Sequence, residues 1–203
     1  MVWSALFISS HSYADMTLLM SALTLAMDRD GFSFNDTAIV VQTHMILMFA
    51  PSFFSGDLAK KIGTQNIQIL GCLLLIAAAI TMYADTDFIH YLIGQMLLGC
   101  GWNFTFSSAT IQLAATSAKE DLLRAVGVND LLTFMMSGTA SVLAGTALEY
   151  LGWHDMQWIG IAIPLWMMTG IGASQIAAKR HQQLGDEMVT HDTVNDGANG
   201  KVQ

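Results

Sequence analysis

The sequence predicts an all-α membrane protein of six transmembrane helices. Three observations carry this reading: six long stretches almost free of formal charge, a composition of 53% hydrophobic against 12% charged residues, and basic residues gathered in alternate connections. Soluble domains carry about 25% charged residues. Six uncharged runs in 203 residues leave too little polar surface to cover a globule. The 16 acidic and 8 basic residues sum to a net charge of −8, so no cationic surplus exists to neutralise phosphates and no nucleic-acid partner is expected. The solvent these runs call for is a lipid bilayer.

A helix crosses the hydrocarbon core with about 20 apolar residues. The first helix is expected over about residues 3–27, interrupted only by His11 and Asp15; with no Lys or Arg before it and Asp15 inside it, it reads as a helix rather than a cleaved leader. The second, about 37–56, carries His44 as its one ionisable group, and Pro51, lacking an N–H, loosens the helix beyond it. The third, about 67–84, is almost purely aliphatic. The fourth, about 88–116, exceeds one crossing and should tilt or end in an interfacial turn. The fifth, about 125–148, holds an uncharged stretch between Asp130 and Glu149, and the sixth, about 156–178, closes on Lys179 and Arg180. Residues 181–203 are polar and without apolar periodicity, the composition of a disordered cytoplasmic tail.

Cytoplasmic loops retain Lys and Arg. The connections after helices two, four and six hold Lys60, Lys61, Lys119, Arg124, Lys179 and Arg180, whereas those after one, three and five are acidic with Arg29 as their single base. Both termini are therefore expected on the cytoplasmic side of the cell (inner) membrane.

Polar chemistry inside a membrane helix is costly and marks candidate sites. An ionised Asp15 near the middle of helix one costs on the order of 3 kcal/mol even on lenient scales. His11, one turn earlier, lies on the same face and offers a hydrogen-bonded pair, for proton coupling, substrate binding or a plain interhelical contact. His44 near the midplane of a proline-loosened helix suits a gate, or a neutral histidine bonded to a neighbour; no second ligand stands at metal spacing beside it. Helix four brings Gly94, Gly99 and Gly101 ahead of Trp102, Asn103 and Ser107. These glycines permit close helix approach, the indole offers a stacking plane, and the amide hydrogen-bonds both ways. Trp102, Asn103 and Ser107 are the candidate substrate contacts. Asp130, following Arg124, suits a cytoplasmic latch, and Ser137, Ser141 and Gly145 recur every four residues as a packing strip.

Cys72 and Cys100 fall in apolar runs and read as packing residues, as do the 14 methionines. No nucleophile with an oriented base and no glycine-rich phosphate loop occurs, so neither enzyme chemistry nor a cofactor is expected.

The connection after helix two reads Phe54-Ser55-Gly56-Asp57-Leu58-Ala59-Lys60-Lys61-Ile62-Gly63. It resembles the signature loop of the major facilitator superfamily: Gly56, Lys61 and Gly63 match, while Lys60 occupies the usual acidic position. That departure is common in the weaker copy of the loop in the second half of such transporters, so the chain resembles the C-terminal six helices. The segments HMILMFAPSFFSGDLAKKIG, GCGWNF and RAVGVND resemble a bacterial permease branch that includes riboflavin transporters, and the likeness runs from about Tyr13 to Lys179. It implies a 3+3 inverted-repeat half-bundle, with helices three and six facing lipid and the other four lining a cavity. The implied activity is secondary transport of a small, riboflavin-like solute by alternating access. A second six-helix half, in cis, in trans or as a homodimer, would complete it. A truncated or inactive half, a membrane subunit and, last, an intramembrane enzyme are the alternative readings.

Overall fold

The computed structural model describes residues 2–199, with side chains described to Arg180 and at Gln183. All regular elements among them are helical: α1 (Val2–Arg29), α2 (Phe34–Phe49), α3 (Ser52–Ile62), α4 (Thr64–Ala84), α5 (Phe88–Thr116) and α6 (Leu122–Asn199). Gly152, at φ 77° and ψ 171°, breaks α6 into two arms. Only glycine adopts such a conformation cheaply, so one residue does the work of the connection expected between helices five and six.

Local chemistry sets the other boundaries. Ser33 and Asp36 form a reciprocal capping box that starts α2. Asp87 caps α5 by accepting from the His90 backbone N–H at 2.8 Å, a bond that holds its carboxyl below the ordinary carboxylate range. Pro51 ends α2, and α3 leaves at 43° to it.

This corrects one expectation. The second run was to continue to residue 56 and hand over to a loop, yet Ser52–Ile62 is itself helical. The bend falls at the proline, and the amides of Phe54 and Ser55 re-form a turn on the Pro51 carbonyl. Gly56, Lys60 and Lys61 therefore lie on a helix, with Lys60 paired to Asp57 at 3.2 Å, and Gly63 supplies the turn into α4.

By length and composition, α4 and the Leu122–Arg180 portion of α6 are able to cross a membrane, and the bent α2–α3 pair is able to do so as one span. α1 and α5 are long enough but carry many polar side chains: Ser9, Ser10, Ser12 and Asp15 on one, Gln95, Asn103, Thr105, Ser108 and Gln112 on the other, all buried. Large apolar side chains are turned outward instead, among them Phe49, Phe53, Leu131 and Val142.

Residues 1–171 form one compact unit and residues 172–203 a second. In the second, the helix continues through Asn199, past Arg180, where the polar composition predicts disorder; no proline follows Pro164 to stop it.

Within the first unit, α4 and α5 pack most extensively. Their backbones touch: a Cβ on Gly71 would lie 2.6 Å from Thr105 Cγ2 and 2.9 Å from the Gly101 carbonyl oxygen. α5 also lies along α2 and α1. α1 meets the first arm of α6 through a polar ladder of Ser9–Asn129, Thr17–Ser137, Ser21–Ser141 and Arg29–Glu149. Every rung is offset by 120 residues. A constant offset requires two helices running in the same direction and in register. The small residues read as a packing strip, Ser137 and Ser141, are two of these rungs. The second arm closes on α1 as well, where Phe7 sits edge-on to Trp166 and a Cβ on Gly160 would meet Leu19 Cδ1 at 2.8 Å.

Candidate functional site

Asp15 sits mid-way along α1, fully buried, and neither carboxylate oxygen has a hydrogen-bond partner among the described residues. The pair with His11 does not form. His11 Nδ1 instead bonds the Phe7 carbonyl one turn back at 2.8 Å, and its ring rests 4.2 Å from that of Phe7. Sharing a helical face put the two residues a turn apart, but Phe7 captures the imidazole.

His44 and Asn103 serve a common contact. Nδ1 of His44 bonds the Gln95 carbonyl at 2.9 Å, joining α2 to α5, with Nε2 unpartnered. The Asn103 amide donates to the Met48 carbonyl at 2.7 Å and to Ser52 Oγ at 2.6 Å. It thus straddles the break at Pro51, holding the end of α2 and the start of α3 together and leaving its own Oδ1 unpartnered. Ser107 is half-buried on α5. Asp130 is exposed at the start of α6 and makes no ion pair among the described residues; its neighbour Asn129 is the one engaged, by Ser9.

Trp102 behaves differently. Its ring stacks on Phe106 at 5.0 Å and 9°, and Tyr13 of α1 meets both edge-on, at 5.3 Å and 5.5 Å. Phe134 of α6 lies 6.2 Å from Tyr13. This aromatic group joins three helices, and of its four members only Trp102 stands out in the sequence as a candidate solute contact. Tyr13, Phe106 and Phe134 were legible as mid-helix aromatics, but nothing in one-dimensional spacing announces that residues so far apart meet.

A cavity of about 650 Å³ opens between α1 and the two arms of α6, lined by apolar side chains such as Leu18, Met135, Met136, Ile159 and Ile163. None of the sequence-predicted site residues lines it. At the α4–α5 turn, ligand atoms of Asp85, Asp87 and His90 lie within 4.8 Å of one another; Asp87 and His90 are engaged in the cap of α5, and Asp85 accepts from the Thr86 N–H.

No protein-family model matches the chain. Curated proteins do. The riboflavin transporter RfnT of Brucella anthropi is 36% identical over 148 residues, 73% of this chain and 37% of that protein. Two uncharacterized MFS-type transporters of Bacillus subtilis, YddS and YdeG, are 25% identical over 74% of the chain and 26% identical over 64%, which is 35% and 31% of their own lengths. The chain is a homologue of transporters of the major facilitator superfamily. It spans about a third of the length of the curated relatives it matches, consistent with one half of such a transporter.

Proposed function

We propose that the chain is a six-helix half of a secondary transporter, built from two three-helix repeats in the cell membrane with both termini cytoplasmic, which moves a small solute by alternating access. The spans would be α1, the bent α2–α3 pair, α4, α5 and the two arms of α6. One observation carries this reading: the packing is reciprocal. α5, the leading helix of the second triplet, lies against α2 and α4 of the first, while α1, the leading helix of the first, lies against both arms of α6. Two inverted repeats that exchange their leading helices pack in this way. A second half, supplied in a homodimer by a further copy of this chain, completes the cavity wall.

In this reading α1 and α5 hold the chemistry. Asp15 takes up and releases a proton as access alternates, because a buried carboxylate with two open acceptor positions gains a partner only when water or another group reaches it. His44 and Asn103 hold the bend of α2–α3, which transmits movement between the cytoplasmic end and the midplane. The name of the Brucella anthropi relative supports a riboflavin-like solute.

Uptake of a solute panel into vesicles bearing the chain, with Asp15→Asn and Asn103→Ala beside the wild type, tests the assignment. A transported solute whose accumulation follows the pH gradient in wild type and ignores it in Asp15→Asn supports the reading. Unchanged transport in both variants removes these residues from the mechanism.

A further inference from the structure

We infer that Tyr13, Trp102, Phe106 and Phe134 form a stacking subsite for an uncharged, planar aromatic heterocycle; the inference deepens the transport reading and rests on it. The four rings come from three helices that meet side by side, α1, α5 and the first arm of α6, within the one compact unit. Each lies close to the middle of its helical segment: Tyr13 in Val2–Arg29, Trp102 in Phe88–Thr116 and Phe134 midway between Leu122 and the break at Gly152. Aromatic residues that anchor helices to the bilayer surface sit at helix ends, not at their centres. Midplane depth is where solute sites of such carriers lie.

Closed packing does not account for the group either. A buried indole N–H ordinarily finds a hydrogen-bond acceptor. That of Trp102, a residue only 6% exposed, is buried and has none among the described residues. Meanwhile the group is open on one side, since Tyr13 and Phe106 are half-buried and Phe134 is 65% exposed. A donor without an acceptor, beside stacked rings with one open edge, suits a flat ligand that presents π faces to the rings and a ring nitrogen or carbonyl to the indole. The four side chains that would meet the ligand are themselves uncharged, which suits a ring system without formal charge.

The test uses lumichrome, an uncharged tricyclic heterocycle whose fluorescence is quenched on stacking, with ribitol as a competitor lacking rings. The whole chain is reconstituted in lipid nanodiscs and titrated as wild type, Phe134→Leu, Phe134→Trp and Trp102→Phe. Phe134 is exposed, so its variants should fold, and a thermal melt checks this. The expected result is saturable quenching insensitive to ribitol, weakened at least about fivefold by Phe134→Leu, restored by Phe134→Trp, and weakened by Trp102→Phe, which keeps a ring and deletes the donor. Absence of saturable quenching, or equal affinity in wild type and Phe134→Leu, overturns the subsite. Solute uptake measured in parallel separates the two levels: uptake without lumichrome binding overturns the subsite and leaves transport standing, whereas lumichrome binding without uptake of any solute supports the subsite and removes transport.

Discussion

At the residue scale, Asn103 donates to the Met48 carbonyl and to Ser52 Oγ across the α2–α3 junction. Its position beside Trp102 suggested that both face a solute, yet on a helix adjacent residues diverge by about 100°, and Asn103 turns to the α2–α3 junction while Trp102 turns to Tyr13. Asn103→Leu should therefore act as a structural lesion, leaving Met48 and Ser52 without their donor; an expected loss of about 1–3 kcal/mol is read as a lowered melting temperature in detergent. A melt unchanged by the substitution, with solute affinity lost instead, would return Asn103 to the binding site. Asp87 carries a pH prediction. The His90 N–H depresses its carboxyl, so the cap contributes stability above the ordinary value of 3.8 and that contribution fades as pH falls through the lower folded value. Asp87→Ala should melt below the wild type at neutral pH, with the gap closing in acid; a pH-independent gap would show that the charge is immaterial.

At the element scale, charge-free runs mark where helices of membrane-crossing length are expected. Residues 88–116 and the α5 bounds Phe88–Thr116 agree, and the third run, 67–84, shares the end of α4 at Ala84. Less legible was the stretch after Pro51: its likeness to a signature loop disguised an amphipathic helix with Lys60 and Lys61 on its exposed side. Close approach was only partly legible too. Gly94, Gly99 and Gly101 announced a tight contact from α5, but Gly71 on α4, at the heart of it, was unremarkable in an aliphatic run. Gly71→Val should push Thr105 and the Gly101 carbonyl, neither of which is a flexible side-chain end free to retreat without backbone movement. A cost of about 1–3 kcal/mol is expected, measured as thermal stability, and an unaltered melt would mean that the α4–α5 distance is not constrained. The polar ladder predicts the opposite sensitivity. Single Ser→Ala changes at Ser137 or Ser141 should each cost only about 0.6 kcal/mol, since a methyl fits where the hydroxyl was, while Ser137→Leu should separate α1 from α6 and lower stability well beyond that.

At the scale of the whole molecule, parity and charge bias predict an even number of crossings with basic connections on one side. The reciprocal packing of α1 and α5 was beyond reach of the sequence, because it depends on contacts between residues 120 positions apart. Topology is open to direct labelling. Ser33→Cys and Thr86→Cys should react with an impermeant thiol reagent from outside the cell, and Lys61→Cys and Ala118→Cys only after permeabilisation. Labelling of all four from outside would refute the proposed six crossings. The bundle also exposes broad apolar surface on α2 and the first arm of α6, so a second half or lipid must cover it.

The most direct measurement of the transport claim is counterflow. Vesicles bearing the chain are loaded with an unlabelled heterocycle of the lumichrome type, diluted into trace labelled solute without any ion gradient, and followed in time. A site that alternates between the two faces predicts transient accumulation of label above equilibrium, reduced in Phe134→Leu at the same sub-saturating solute concentration. Equilibration no different from that of vesicles lacking the chain, for each solute tried, would contradict the account.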